Sequence, residues 1–341
     1  MNTYRAAQVV TPNGNFEIVD REVPRPGPGH VRLAVEACGI CHSDDVFVSG
    51  GLPGLQFPLV PGHEVAGRIE ELGEGAQSQK WNVGDRVTVG WFGGSCGYCI
   101  PCRQGDFMVC DNLKIPGWAY DGGYAERMIA PIDALARIPD ALSAAEAGPM
   151  ACAGVTTYDG LRQSSAGPGD LVAVLGIGGL GHLGVQFAKA MGFETVAIAR
   201  GPEKGDLARE LGAHHYIDST SGTPVADALQ ALGGAKVVLA SAGSSEAISA
   251  TVEGLSHRGE LVVIGVSPDP IDISPLQIIL RGRSLRGHPA GTARAVQDTM
   301  EFSALHGIRP RVETVPLAET DAAYRKMLSG SARFRMVLTT G

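Results

Sequence analysis

The chain is predicted to be an α/β protein of two domains, a loop-rich, mainly-β region followed by a six-stranded, doubly wound parallel sheet. Three observations carry that prediction. Residues 1–150 hold short apolar runs separated by Gly/Pro turns. From about residue 153, strand-like apolar runs alternate with helical patterns, the order that a parallel sheet with crossover helices needs. The length of 341 residues is enough to build two cores.

In the first region the runs 31–35, 65–69 and 86–89 read as strands, and Pro24, Pro26 and Pro28 with their intervening glycines mark an irregular connection. In the second, strands are expected at 171–175, 195–199, 216–218, 237–240, 261–265 and 284–287. Helices are expected near 181–191, 203–211, 225–232 and 246–255. The tail is mixed and ends in a strand-like run at 335–339, so it is expected to rejoin the first domain. The predicted domains are therefore 1–152 with 288–341, and 153–287.

Composition narrows the function. Charged residues make up 19% and hydrophobic ones 44%, with a net charge of −8 and no block of like charge, which argues against nucleic acid and anionic membrane as partners. The first residues, 1–7, carry no apolar stretch of signal-peptide type, and no apolar run is long enough to span a bilayer. Seven cysteines, spaced as thiolate ligands more than as disulfides, suit a reducing cytoplasm.

Four of those cysteines, Cys96, Cys99, Cys102 and Cys110, follow one another at spacings of two, two and seven residues, with Gly97 and Pro101 to turn the chain. Four thiolates so placed can close around one tetrahedral zinc of the structural kind. The bland alternative is a cluster of buried thiols or disulfides.

The strand at 171–175 runs directly into Gly176-Ile177-Gly178-Gly179-Leu180-Gly181 and then into a helix whose Leu183, Phe187 and Met191 share one face. A lone GxGxxG is weak; between a strand and a helix it is a dinucleotide pyrophosphate turn, with the helix N-terminus facing the phosphates. At the end of the next strand, where an NAD enzyme places an acid for the ribose 2′-hydroxyl, stands Ala199, followed by Arg200 and Lys204. No carboxylate repels a 2′-phosphate there and two cations can meet one, so NADP(H) is the preferred cofactor and NAD(H) the alternative. The bland reading leaves Arg200 stacked on adenine or pointing to solvent.

Cys41, His63, Glu64 and Cys152 lie far apart in sequence, and spacing alone does not group them; read by itself, Cys152 is as well a buried thiol. The motifs Cys38–Asp44, Gly62-His63-Glu64, the cysteine lobe, Ala151-Cys152-Ala153-Gly154 and Gly176–Gly181 together make the chain resemble the zinc-dependent medium-chain alcohol dehydrogenases over essentially its whole length. With no long insertion before the lobe, it resembles their short bacterial and yeast-type members. The resemblance implies a GroES-like, mainly-β catalytic domain and a Rossmann cofactor domain.

It also implies roles. Cys41, His63 and Cys152 would hold a catalytic zinc, with Glu64 as a resting ligand and Asp44 orienting a ligand from behind. Two zinc ions per chain follow, one catalytic and one structural. Ser43 matches the hydroxyl that takes the alcohol proton. His42 and Arg335 match positions facing the cofactor pyrophosphate, and Val266 is added to the cofactor set. A zinc-polarised substrate oxygen then loses its proton near neutral pH while hydride passes to the nicotinamide. Cys38 is left as a small core residue.

Two departures stand out. Val46 occupies the place of a histidine that often relays the proton onward. Gly50 and Gly51 replace a bulky aromatic, which implies a roomier pocket, with Trp91, Phe92 and Trp118 as candidate walls. The remaining histidines, His30, His182, His214, His215, His257, His288 and His306, show no ligand spacing.

The expected activity is interconversion of alcohols with aldehydes or ketones, in a cytoplasmic homotetramer with a dimer as the alternative. A polyol or secondary-alcohol dehydrogenase is the near competitor. A zinc-independent quinone reductase has no use for the full ligand set, and a non-enzymatic NADPH-binding protein has none for Cys41, His63 and Cys152.

Overall fold

The computed structural model describes residues 3–76 and 81–341; the reading of the chain's start falls in part on Met1 and Asn2, outside them. In chain order the strands are β1 (Thr3–Val9), β2 (Phe16–Glu22), β3 (His30–Gly39), β4 (Val65–Leu72), β5 (Arg86–Val89), β6 (Arg127–Pro131) and β7 (Leu135–Arg137). There follow β8 (Leu171–Leu175), β9 (Glu194–Ala199), β10 (His215–Asp218), β11 (Ala235–Ala240), β12 (Leu255–Val263) and β13 (Ser284–Gly287), then β14 (Val312–Pro316) and β15 (Arg335–Thr339). Two compact units form: one runs up to Cys152 and takes back Ala290–Leu305 and Arg309–Gly341, the other is Ala153–Pro289 with His306–Ile308.

In the first unit β3 buries Val31, Leu33, Val35 and Ala37 and leaves the residues between them partly exposed. That alternation makes it the spine of a half-buried sheet. The sheet runs β14-β15-β3-β4-β5-β7, with β6 pairing β3 as well. β1 and β2 form a separate antiparallel ribbon, tied to the rest by the Ala7 amide on the Tyr124 carbonyl at 2.8 Å. Its inner residues Tyr4, Ala6, Ala7 and Val9 join the core of Leu33, Ile69, Val87 and Met128.

The second unit is built on β8, buried at every position. Six parallel strands run in the order β10-β9-β8-β11-β12-β13. The order reverses between β8 and β11, the place where doubly wound sheets bind ligands. The fold class is as predicted, a GroES-like mainly-β domain and a Rossmann domain.

Several elements differ from expectation. β12 starts six residues earlier than the apolar run at Leu261, because Ser256, His257 and Arg258 extend it in polar sequence, with Arg258 at φ 54°. The helix expected at 246–255 stops at Ser249 and resumes as a 3-10 turn at Val252–Gly254. There the Thr251 hydroxyl bonds back to the Ile248 carbonyl at 2.7 Å. The helix expected at 203–211 opens as a 3-10 turn, Pro202–Lys204, since Gly201 at φ 86° and Pro202 set its entry. β1, β2, β6, β7 and β14 had no clear apolar run to announce them. Among the described residues no helix is long and apolar enough to cross a membrane.

Candidate metal centre and cofactor turn

Three adjacent strands bring the first cluster together. β3 ends at Gly39, so Cys41 lies just past it; β4 begins at Val65, so His63 and Glu64 lie just before it; β15 begins at Arg335 beside them. The Gly39 amide donates to the Glu64 carbonyl at 2.9 Å and the Ile40 amide to the Met336 carbonyl at 2.9 Å. A Cβ on Gly39 would lie 1.9 Å from Glu64 Oε2, so only glycine lets that carboxylate in. Cys152 is supplied by the π-helical turn Met150–Gly154, a form of helix met often at functional sites.

The ligand atoms of Cys41, His63, Glu64 and Cys152 all lie within 4.8 Å of one another, and all four residues are buried. Cys41 and Cys152 Sγ are 3.9 Å apart. A tetrahedral zinc with Zn–S of about 2.3 Å sets its sulfurs about 3.8 Å apart, whereas a disulfide needs about 2.05 Å. His63 Nδ1 donates to Asp44 Oδ1 at 2.9 Å, which leaves its buried Nε2 with a free lone pair and no hydrogen-bond partner among the described residues; Glu64 Oε2 has none there either. Orphaned acceptors in a dry site cost free energy unless something electropositive meets them. The donor set therefore fits zinc.

Asp44 is itself fully buried and saturated. Its Oδ2 accepts the Cys41 amide at 2.9 Å and the Tyr124 hydroxyl at 2.7 Å. The charges answer one another. The contact with Cys152, and against burial the neighbouring His63 and Arg335, draw the Cys41 thiol well below its usual range, while Cys152 rises. Burial alone would lower His63, but Asp44 and Cys41 outweigh it and raise it. Burial lifts Glu64 to about 7, against the opposing pull of Arg335.

Arg335, matched by resemblance to the cofactor side, is buried and ion-paired with Glu64, and donates to the Ile40 carbonyl at 3.3 Å. Ser43 occupies the N-cap position of the helix Asp44–Val48 yet makes no capping bond, so its hydroxyl is uncommitted; His42 before it is exposed. Trp91 stands edge-on to the His63 ring at 4.9 Å and stacks on Phe47 at 5.8 Å. Phe92 is buried, whereas Trp118, Gly50 and Gly51 are exposed.

The second cluster gathers Cys96, Cys99, Cys102 and Cys110 within the same 4.8 Å limit. Sulfurs of Cys99 and Cys96 lie 3.8 and 3.6 Å from that of Cys110, again the edge of a zinc tetrahedron and not a disulfide. Amides of Cys96 and Asn112 point at Cys110 Sγ at 3.4 and 3.3 Å, and the Cys99 amide at Cys96 Sγ at 3.4 Å. Against burial, such bonds favour thiolate and hold Cys96 down to about 6.

In the second unit the turn after β8 has the form its glycines require. Gly176 sits at φ 93°, and a Cβ on Gly181 would lie 1.7 Å from the Gly176 carbonyl oxygen. A Cβ on Gly178 would meet nothing within 4 Å, leaving its backbone open to a pyrophosphate. Gly179 and Leu180 complete the turn, and buried His182 fastens it through Nδ1 to the Gly178 carbonyl at 2.8 Å. Ala199 closes β9; exposed Arg200 and half-buried Lys204 follow, their side chains without hydrogen bonds or ion pairs among the described residues. Val266, past β12, is exposed.

Residues 27–140 match the alcohol dehydrogenase GroES-like domain, and residues 179–304 match the zinc-binding dehydrogenase domain. The alcohol dehydrogenase patD of Penicillium expansum is 40% identical over 338 residues, 99% of this chain and 98% of that protein. Among solved structures, cinnamyl alcohol dehydrogenase SbCAD4 from Sorghum bicolor aligns with a TM-score of 0.90 at 28% identity, over 99% of this chain and 98% of that one. CAD from Helicobacter pylori complexed with NADP(H) aligns with a TM-score of 0.85 at 26% identity, over the same shares. Identity of that depth over the full length, with both domain matches in their own halves, means that the chain belongs to the zinc-dependent medium-chain alcohol dehydrogenases, oxidoreductases that work with a nicotinamide cofactor.

Proposed function

We propose that this alcohol dehydrogenase holds two zinc ions per chain, prefers NADP(H), and interconverts alcohols with aldehydes or ketones as a cytoplasmic homotetramer. The observation that carries the reading is the convergence of Cys41, His63, Glu64 and Cys152 on one dry point, with Asp44 fixing His63 from behind. When bound there, zinc supplies Lewis-acid polarisation of the substrate oxygen, and the nicotinamide accepts or donates the hydride. Cys96, Cys99, Cys102 and Cys110 close the second, structural site.

The chain's own groups do the rest. Asp44 keeps His63 in the tautomer with a free Nε2. The uncommitted Ser43 hydroxyl takes the alcohol proton and passes it on through water or a ribose hydroxyl, since Val46 cannot carry it. For the cofactor, the open backbone at Gly178 is the proposed pyrophosphate cradle and Val266 the proposed neighbour of the nicotinamide. Exposed His42 keeps the pyrophosphate role that the resemblance gives it, while the Arg335 guanidinium is committed to Glu64. The tetramer rests on the resemblance to short-type members alone.

The cofactor preference rests on Ala199, Arg200 and Lys204. Ala199→Asp puts a carboxylate where a 2′-phosphate would sit. Steady-state kinetics with NADPH and NADH on an aldehyde panel test it: the kcat/KM ratio should fall by about 10-fold or more, about 1.4 kcal/mol. An unchanged ratio would remove the NADP(H) assignment and leave the enzyme class standing.

A further inference from the structure

We propose that Tyr124 is a positioning residue for the zinc ligands, acting through Asp44 on both His63 and Cys41. The inference rests on the catalytic-zinc reading above and adds to it a residue that no motif announced.

Tyr124 is fully buried, and its hydroxyl donates to Asp44 Oδ2 at 2.7 Å. The same carboxylate accepts His63 Nδ1 on Oδ1 and the Cys41 amide on Oδ2, both at 2.9 Å. Asp44 thus holds one ligand by its ring and another by its backbone, and Tyr124 is the third donor that fixes the carboxylate plane. Without the Tyr124 hydroxyl each oxygen keeps one donor, both of them on the ligand side, and Oδ2 loses the one bond that anchors the carboxylate from outside the ligand set. The carboxylate then holds His63 and Cys41 less tightly.

The hydroxyl arrives there with little freedom. The Tyr124 amide donates to the Pro61 carbonyl at 3.0 Å and the Gly123 amide to the Gly62 carbonyl at 2.9 Å. Tyr124 is therefore paired to the segment that leads directly into His63. A Cβ on Gly62 would lie 2.5 Å from Tyr124 Cδ1, so the glycine before His63 is what lets the ring pass. The Phe16 ring packs on the Tyr124 ring with centroids 5.8 Å apart, and the Ala7 amide holds the Tyr124 carbonyl at 2.8 Å. Tyr124 thus reaches His63 by two routes, through the backbone of Pro61 two residues before it and through Asp44.

Tyr124→Phe keeps the ring and removes only the hydroxyl. The test is chelator-driven zinc release from the full-length zinc-loaded protein, followed with a chromogenic indicator, with the cysteine-lobe zinc as internal control. One of the two zincs should leave about 10- to 100-fold faster than in the parent, with release of the lobe zinc unchanged. The visible spectrum of the cobalt-substituted site should shift. In an Asp44→Asn background, Tyr124→Phe should add nothing further, because the route runs through that carboxylate. Parent-like release and spectrum in Tyr124→Phe, or equal loosening of both sites with a lowered midpoint, overturn the proposal while leaving the zinc reading intact. A parent that holds only the lobe zinc overturns both.

Discussion

Glu260 shows what a single buried carboxylate contributes here. It pairs with Arg286 at 2.7 Å and accepts the Ser165 amide at 2.8 Å. Burial alone would raise its pKa, but the guanidinium and the amide outweigh it and hold it below the usual 4.5. A group depressed on folding adds stability above its unfolded pKa and loses it as pH falls through the folded value. Glu260→Gln should therefore cost about 1–2 kcal/mol near neutral pH, and the gap to the parent should close in acid. Urea midpoints of both proteins at about pH 7 and about pH 4 check this; a constant gap would mean that the pair adds nothing through charge. Legibility at this scale followed sequence distance. The four lobe cysteines fall within one short stretch and could be read directly. Tyr124 lies 80 residues from Asp44, and Arg335 lies 271 from Glu64, so only strand pairing brings them together.

The turn after β8 separates, within one element, what glycine does for the fold from what it does for the ligand. Gly181→Ala drives a methyl into the Gly176 carbonyl, so backbone must move, and the protein should lose about 1–3 kcal/mol or more. Gly178→Ala meets open space, so its thermal midpoint should stay with the parent's, while NADPH affinity falls because the methyl stands where the pyrophosphate approaches. Scanning calorimetry with fluorescence titration separates the two. Equal NADPH affinity in Gly178→Ala would place the pyrophosphate elsewhere. Strands buried on both faces, such as β8 and β13's neighbour β12 from Leu261 on, were legible as apolar runs. The exposed ribbon strand β2, with only partly buried positions, gave no such run, and the polar start of β12 pairs with β11 only at Leu255 before Glu260, the Arg258 amide donating instead to the Arg281 carbonyl at 2.8 Å.

For the whole molecule, the two-part fold was legible because a change of texture near residue 153 reflects a real change from antiparallel to parallel sheet. The first metal centre was legible only through resemblance, since its donors come from the ends of two strands and a helical turn. Two dry or partly dry donor clusters in one chain, each with sulfurs at the zinc-tetrahedron edge, are the centre of this account. Zinc per chain, measured by mass spectrometry on the purified parent and on Cys152→Ser, tests it most directly. The account predicts two zincs in the parent, and one in a folded Cys152→Ser whose turnover has dropped by on the order of 100-fold or more. A parent with one zinc, or a Cys152→Ser protein that keeps both zincs and near-normal turnover, would contradict it.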